Sequence, residues 1–478
     1  MKAIFWSLFL LGLNFSYSFA QDEAVSSKKR GDLESWLRED YGTSNWLGVR
    51  TGLEDKGVSI SGGYTADVWG NTTGGLKRGA VYTGLLDFGA ELDLEKLIGW
   101  KGASVSTTWL WLSGRDASAD LVGNFLTISN IAGFNTLRML ELWFQQDFFQ
   151  RGDDALPGLS IRVGQLTADR EFVISDYGAL FTNGTFGWPA FLYTNIPEGG
   201  PGYPMGTLGV RVGVTPWEWM TLQSAVFQGN VFAQNVNRHG FRWNLNSDEG
   251  YFWINELQVR WKQSGEARIL PGQAKFGAWF HTADFADPFF DQDGIPLADE
   301  NSSGDPLLHQ WNYGFYWIVD QMLYRERGEE VAVVDRSAQS GKSVIDAKGS
   351  RETVPAEKEP SSQGLGWFGR IAFGPQDRNF VGFYFDTGLV YTGLVPTRDE
   401  DQIGVGFVYA QLANGARRAL EAEGSRGVGA EMALEFTYKA VLTPWLYIQP
   451  DAQFIINPGG TQDLGNAFVI GGRVSVNF

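Results

Sequence analysis

A transmembrane antiparallel β-barrel of about sixteen strands, with a long third external loop folded inward, is the fold class this sequence predicts. Three observations carry it. From Gly57 to Phe478, segments of about ten residues alternate apolar and polar side chains and are separated by Gly, Pro, Asn and Asp. Beyond the first twenty residues no stretch approaches the ~18 uncharged apolar residues of a spanning helix. Aromatic residues make up 14% of the chain and recur near predicted strand ends, at Trp100, Trp217, Trp219 and Trp445, where interfacial girdles belong.

Residues 1–20 read as a secretory signal peptide. Lys2 supplies the positive charge, residues 3–13 the apolar run, and Ser18, Phe19 and Ala20 the small-residue site, with cleavage expected after Ala20. Residues 21–56 form an expected periplasmic N-terminal segment. In it, residues 24–30 are a polar tether and residues 31–40 a short amphipathic helix with Leu33, Trp36 and Leu37 on one side.

The barrel domain is expected over 57–478. The alternation predicts strands at 57–70, 80–95, 101–113, 135–150, 158–168, 206–215, 218–230 and 250–262. A second set follows at 272–284, 311–325, 363–374, 379–391, 402–414, 426–439, 443–456 and 464–478. Charges fix the register. Near the C-terminus Met432, Leu434, Phe436 and Tyr438 face one way and Glu431, Glu435 and Lys439 the other. An Arg or Lys on the lipid face at mid-membrane costs about 2–4 kcal/mol, so the charged faces belong to the lumen. A soluble β-sandwich also alternates, but the chain is long for one.

With both termini on the periplasmic side, parity assigns short turns at 155–158, 215–218 and 442–445 to that side. Long loops at 114–134, 169–205, 231–249 and 285–310 then lie outside. Residues 327–362 break the pattern, as a long, polar, flexible insertion on the periplasmic side: either an excursion there or the sign of a miscounted strand.

Composition narrows the function classes. There are no cysteines, hence no disulfide or thiolate metal site, and acidic residues outnumber basic ones 55 to 38 for a formal charge of −17, which disfavours nucleic acid. No cofactor is expected. Gly341, Lys342 and Ser343 lack the rest of a phosphate loop. Asp291, Asp293 and Glu300, with Gly294, carry part of a calcium-loop spacing, a weak candidate because Phe289 takes the first ligand position. His281 with Asp284 and Asp287 is a weaker metal candidate still, and no catalytic serine, histidine and acid set stands out.

What remains is the inward face. Asp87, Glu91, Glu141, Arg162, Arg211, Glu256, Arg260, Arg370, Asp386, Glu431, Glu435 and Arg473 give a wall of both charge signs. Carboxylates accept hydrogen bonds from sugar hydroxyls, guanidinium groups donate to them, and aromatic faces stack on pyranose rings; Trp69, Trp143, Trp279 and Tyr384 offer such faces. The third external loop adds Asp169, Arg170 and Glu171. The substrate-contacting and constriction set is therefore expected among Trp69, Glu141, Arg162, Asp169, Arg170, Glu171, Trp279, Arg370, Glu435 and Arg473. For any one of these, pairing with a neighbour is the simpler role.

The order of several motifs resembles the carbohydrate-selective porin family of Gram-negative outer membranes. They are NWLGVRTGLEDKGVSI, LEKLIGWKGASV, IRVGQLTADREF, YGFYWIVDQMLY, QGLGWFGR and the closing TPWLYIQPDAQFIINPGG with VIGGRVSVNF. The resemblance implies a sixteen-stranded barrel in the outer membrane, passing mono- or small oligosaccharides passively through a charged, aromatic constriction. It further implies sugars as permeants, outer-membrane lipid and lipopolysaccharide as surroundings, a monomer or homotrimer, and no enzymatic activity. Two departures stand out: the 327–362 insertion, and the missing second glycine in NWLGVR. A general or ion-preferring porin, and an occluded barrel enzyme or lectin, are the alternatives. For the enzyme, Glu431 and Glu435 lie about 13 Å apart at ~3.3 Å per residue, beyond the roughly 5–9.5 Å of a glycosidase pair.

Overall fold

The computed structural model describes residues 33, 35–151, 156–243, 249–261, 270–326 and 363–478. The signal-peptide expectation, Gly341 to Ser343 and the 327–362 insertion lie outside these residues. Sixteen antiparallel strands pair each with its neighbour in sequence, and β1 pairs with β16 to close the ring. They are β1 Val58–Thr73, β2 Gly79–Asp93, β3 Ala103–Gly114, β4 Thr136–Arg151, β5 Leu156–Leu166, β6 Thr207–Trp217, β7 Met220–Gln228 and β8 Tyr251–Trp261. The ring continues with β9 Gly272–Asp291, β10 Pro306–Arg325, β11 Gly364–Phe373, β12 Val381–Thr392, β13 Gln402–Leu412, β14 Ala430–Thr443, β15 Leu446–Ile456 and β16 Ala467–Asn477. Closure pairs every edge, which is how a sheet survives in hydrocarbon.

Burial runs opposite to that of a water-soluble sheet. On β14, Leu434 and Phe436 are exposed on the outside, Phe436 by 49%, while Glu431, Glu435 and Thr437 on the opposite face are fully buried. Exposed apolar side chains such as Val68, Val226, Phe276, Phe315, Val405 and Ile470 extend the outer face around the ring. This inversion, together with closure, rules out the sandwich.

The seam is clamped from inside. Asp67 and Arg473 stand opposite each other in the β1–β16 register, and Arg473 donates to both Asp67 oxygens, from Nε at 2.8 Å and from Nη2 at 2.9 Å. The segment before β1 meets the last strand at this end of the barrel: Gly42 N donates to Asn477 O at 2.9 Å, and Trp36 packs on Trp445 with ring centroids 4.6 Å apart. Trp217 and Trp219 stack as an exposed pair, as a girdle requires, and Trp100 is exposed as well. Trp445 departs from the girdle expectation, because the N-terminal segment covers it.

The long connection between β10 and β11 leaves from the terminal end, and sixteen strands are present, so no strand was miscounted. Two strands exceed expectation: β9 and β10 run on past the ring as a long hairpin. Helix Asn414–Ala422, in the β13–β14 connection, was not foreseen, since nothing in NGARRALEA separates a short helix from a polar loop.

That hairpin also carries the calcium candidate. Asp291 ends β9, and its carboxylate accepts from the amides of Asp293, Ile295 and Ser303 and from the hydroxyls of Ser302 and Ser303. The carboxylate shapes the turn. Among the described residues no group of three or more His, Asp or Glu is placed to hold a metal, the Asp291, Asp293 and Glu300 set included. His281 Nε2 lies 2.8 Å from Gly229 O, buried, while Asp287 pairs with His309.

Candidate substrate passage

The alternation that sends charges inward also decides what they meet. Residues 167–206, between β5 and β6, are held by side chains in the middle of strands all along the ring. Glu435 on β14 accepts from Thr182 N at 2.6 Å and Asn183 N at 3.1 Å. Asp320 on β10 accepts from Ser175 Oγ at 2.6 Å and Tyr177 N at 3.3 Å, and Glu256 on β8 accepts from Val173 N at 2.9 Å. Arg370 on β11 forms a bidentate pair with Asp386 on β12 and donates onward to Val173 O and Thr185 O. Glu431 holds a second connection, residues 115–135, through Phe125 N and Leu126 N.

Glycines on the inward face make room for this segment. A Cβ on Gly366 would stand 2.0 Å from the Tyr177 ring, and one on Gly406 would stand 2.7 Å from Phe186. The aromatics of the segment therefore lie flat against β11 and β13, where Phe181, Phe186 and Phe368 form a cluster with centroids 4.6–5.8 Å apart.

At the root of the same segment a different set converges. Glu141 accepts from Thr167 N and Oγ1 on one oxygen and from Arg170 Nη1 at 3.1 Å on the other. Glu171 pairs with Arg162 at 2.6 Å and with Arg211. Gln145 Oε1 accepts from both of those arginines, and the Arg162 guanidinium lies 3.9 Å over the Trp143 ring. Arg170 keeps 45% of its side chain exposed, so it presents donors to solvent. On β16, Arg473 also donates to Asn130 Oδ1 at 2.7 Å, and Ser129 donates to Asp67.

Cavities lie on either side. One of about 810 Å³, on the side away from the termini, is lined by residues of the 115–135 and 167–206 connections and by Arg473. On the terminal side a cavity of about 490 Å³ is lined by Gln145, Glu171, Arg211, Arg260 and Lys275. A smaller one of about 170 Å³ shares Asp176 with it and Arg473 with the first. Arg473 thus stands between the two sides.

The profile of the carbohydrate-selective porin, OprB family matches residues 77–478. The chain belongs to this family. It is similar to "Porin B" of Pseudomonas aeruginosa, 24% identical over 496 residues that span 99% of this chain and 96% of that protein. It is also similar to "Putative porin QuiX" of Acinetobacter baylyi, 22% identical over 512 residues that span 98% and 99% of the two. The high-pH structure of Pseudomonas putida OprB superposes with a TM-score of 0.74 at 23% identity, covering 92% of this chain and 99% of that one, and so shares the fold. As a carbohydrate-selective porin, the chain is an outer-membrane channel for carbohydrate diffusion, and the barrel is a channel architecture rather than an enzyme's.

In this porin the predicted residues divide. Glu141, Arg162, Arg170 and Glu171 come together at the root of the long connection, and Arg473 is apart from them, held by Asp67 and Asn130. Asp169 lines the larger cavity, where burial holds its carboxyl above the usual aspartate range. Glu435 and Arg370 are buried anchors of the connection, and Trp69 and Trp279 are buried in the packed interior, so these four offer no free face to a solute. The alternation told which way they point but not that a loop would cover them. Asp67, Asn130, Ser129 and Gln145 were missed. The signal for the buried anchors was present in the inward glycines of GLG at 364–366 and GVG at 404–406, which mark close approach.

Proposed function

We propose that this porin passes uncharged mono- or small oligosaccharides passively and with substrate preference. Residues 167–206 fold into the lumen and narrow it, and both termini lie on the periplasmic side. The constriction is formed by Arg170, Glu141, Arg162, Glu171 and Arg211 on one wall and by Arg473 with Asn130 on the other. The barrel sits in outer-membrane lipid and lipopolysaccharide as a monomer or homotrimer and carries out no catalysis.

The observation that supports this most is the pairing of every carboxylate in the constriction with an arginine. Paired charges of both signs leave donors and acceptors for hydroxyls, and once Asp67, the partner of Arg473, is counted, four arginines meet three carboxylates, so an ion meets a small net field. An ion-preferring pore would instead present a large excess of one sign.

Reconstitution in planar bilayers with glucose titration tests the reading. Stepwise conductance that glucose blocks saturably, with a reversal potential near zero in a salt gradient, is the expected result. A strongly ion-selective current that no sugar blocks would refute it.

A further inference from the structure

Resting on the reading of this chain as a sugar channel, we propose that the 810 Å³ cavity away from the termini is a carbohydrate-binding site. It takes an uncharged small oligosaccharide ahead of the constriction, with Asp169 as the central acceptor and Phe134, Tyr193 and Tyr203 as stacking faces.

Three features of the cavity point there. Its size falls within the roughly 300–1,000 Å³ of small-molecule sites. Its walls carry partly exposed aromatic rings, which pack against the apolar faces of pyranoses. Tyr203 is fixed for that role, its hydroxyl donating to Ile131 O at 2.8 Å and its amide to Asp169 Oδ2 at 2.8 Å.

The third feature is an acceptor without a donor. Asp169 Oδ1 is buried and makes no hydrogen bond to the described protein. The neighbouring Thr167 hydroxyl gives its one proton to Glu141 Oε1 at 2.9 Å and so does not satisfy it. A buried carboxylate oxygen left without a donor is costly, and a sugar hydroxyl supplies the donor.

Charge then selects among sugars. Asp116, Asp169 and Glu198 line the cavity, whereas among the described residues Arg473 is its one lining arginine and is paired with Asp67. The wall accepts hydrogen bonds and repels carboxylates, so uronic and aldonic acids are excluded where neutral sugars bind.

The test uses the full mature porin in planar bilayers, with block by maltose and by glucuronate measured for the native chain, Asp169→Asn and Glu198→Gln. Asp169→Asn puts an amide donor where the free acceptor stands. The half-blocking concentration of maltose should rise about tenfold in Asp169→Asn and severalfold in Glu198→Gln, and glucuronate should block the native channel only at concentrations at least tenfold above maltose. A maltose block unchanged in both variants, or glucuronate blocking as well as maltose, overturns the site while leaving the porin standing. If Asp169→Asn does not fold, the exposed Glu198→Gln decides the question alone. If the native channel conducts but no sugar blocks it, the sugar-preferring reading of the pore fails, and this site with it.

Discussion

Replacing Glu431 by Gln exchanges one carboxyl oxygen for an NH₂ and alters nothing else of size, and its consequence follows from three hydrogen bonds. Oε1 accepts from Leu126 N at 2.6 Å, and Oε2 accepts from Phe125 N at 3.1 Å and Gly459 N at 2.6 Å. A glutamine keeps one acceptor oxygen and turns an NH₂ toward the remaining amide or amides, so at least one donor faces a donor. Leaving a buried donor unpaired costs about 1–3 kcal/mol, and here that donor also faces an NH₂. The attachment of residues 124–126 should weaken by about 3 kcal/mol, which at 1.36 kcal/mol per tenfold raises the detached population more than a hundredfold. Phe125, now packed edge-on against Phe380 at 5.3 Å, is the reporter. Chymotryptic cleavage there, with opening fast relative to cleavage, tracks the open population and should accelerate by that factor. Single-channel current noise should rise with it. Acceleration below about threefold in a folded barrel would refute the reasoning that inward carboxylates anchor the loops.

Other outcomes follow from the same geometry. Arg170→Gln should leave stability within about 1 kcal/mol, because its pair is half-exposed and Thr167 still holds Glu141; bilayer recordings should show a severalfold weaker glucose block and a reversal potential moved toward cation preference. Asp386→Asn strips the buried Arg370 of its counter-charge and should lower the unfolding free energy by about 3–5 kcal/mol in urea titrations of micellar protein. Neutral-sugar block should weaken on acidification. Burial raises the Asp169 carboxyl, Arg170 partly offsets this and Glu141 adds to it, so the proton arrives as pH falls through a value above the ordinary ~3.9. A titration of half-blocking concentration against pH should therefore have its midpoint above that value, and Asp169→Asn should flatten it.

Sixteen strands and their facing were legible in the sequence, because alternation has period two and the cost of a charge on the lipid face fixes the phase. Glu431, Glu435 and Arg473 point inward as read, and so do Trp69 and Arg370. Local groupings were legible too: Asp169, Arg170 and Glu171 sit together because they are neighbours in the chain.

Partnership across the lumen was not legible. Glu435 meets Thr182 across 253 positions of sequence, and Arg473 meets Asn130 across 343. Which inward side chains share one depth is set by the stagger of the strands and the path of residues 167–206, neither of which leaves a trace in local periodicity. The sequence by itself determined that charged side chains would face the lumen, since lipid tolerates no other arrangement. Only the tertiary structure decided that most of them hold loops and a few face the passage, because a carboxylate is claimed by whichever backbone amides the closed ring brings within hydrogen-bonding distance.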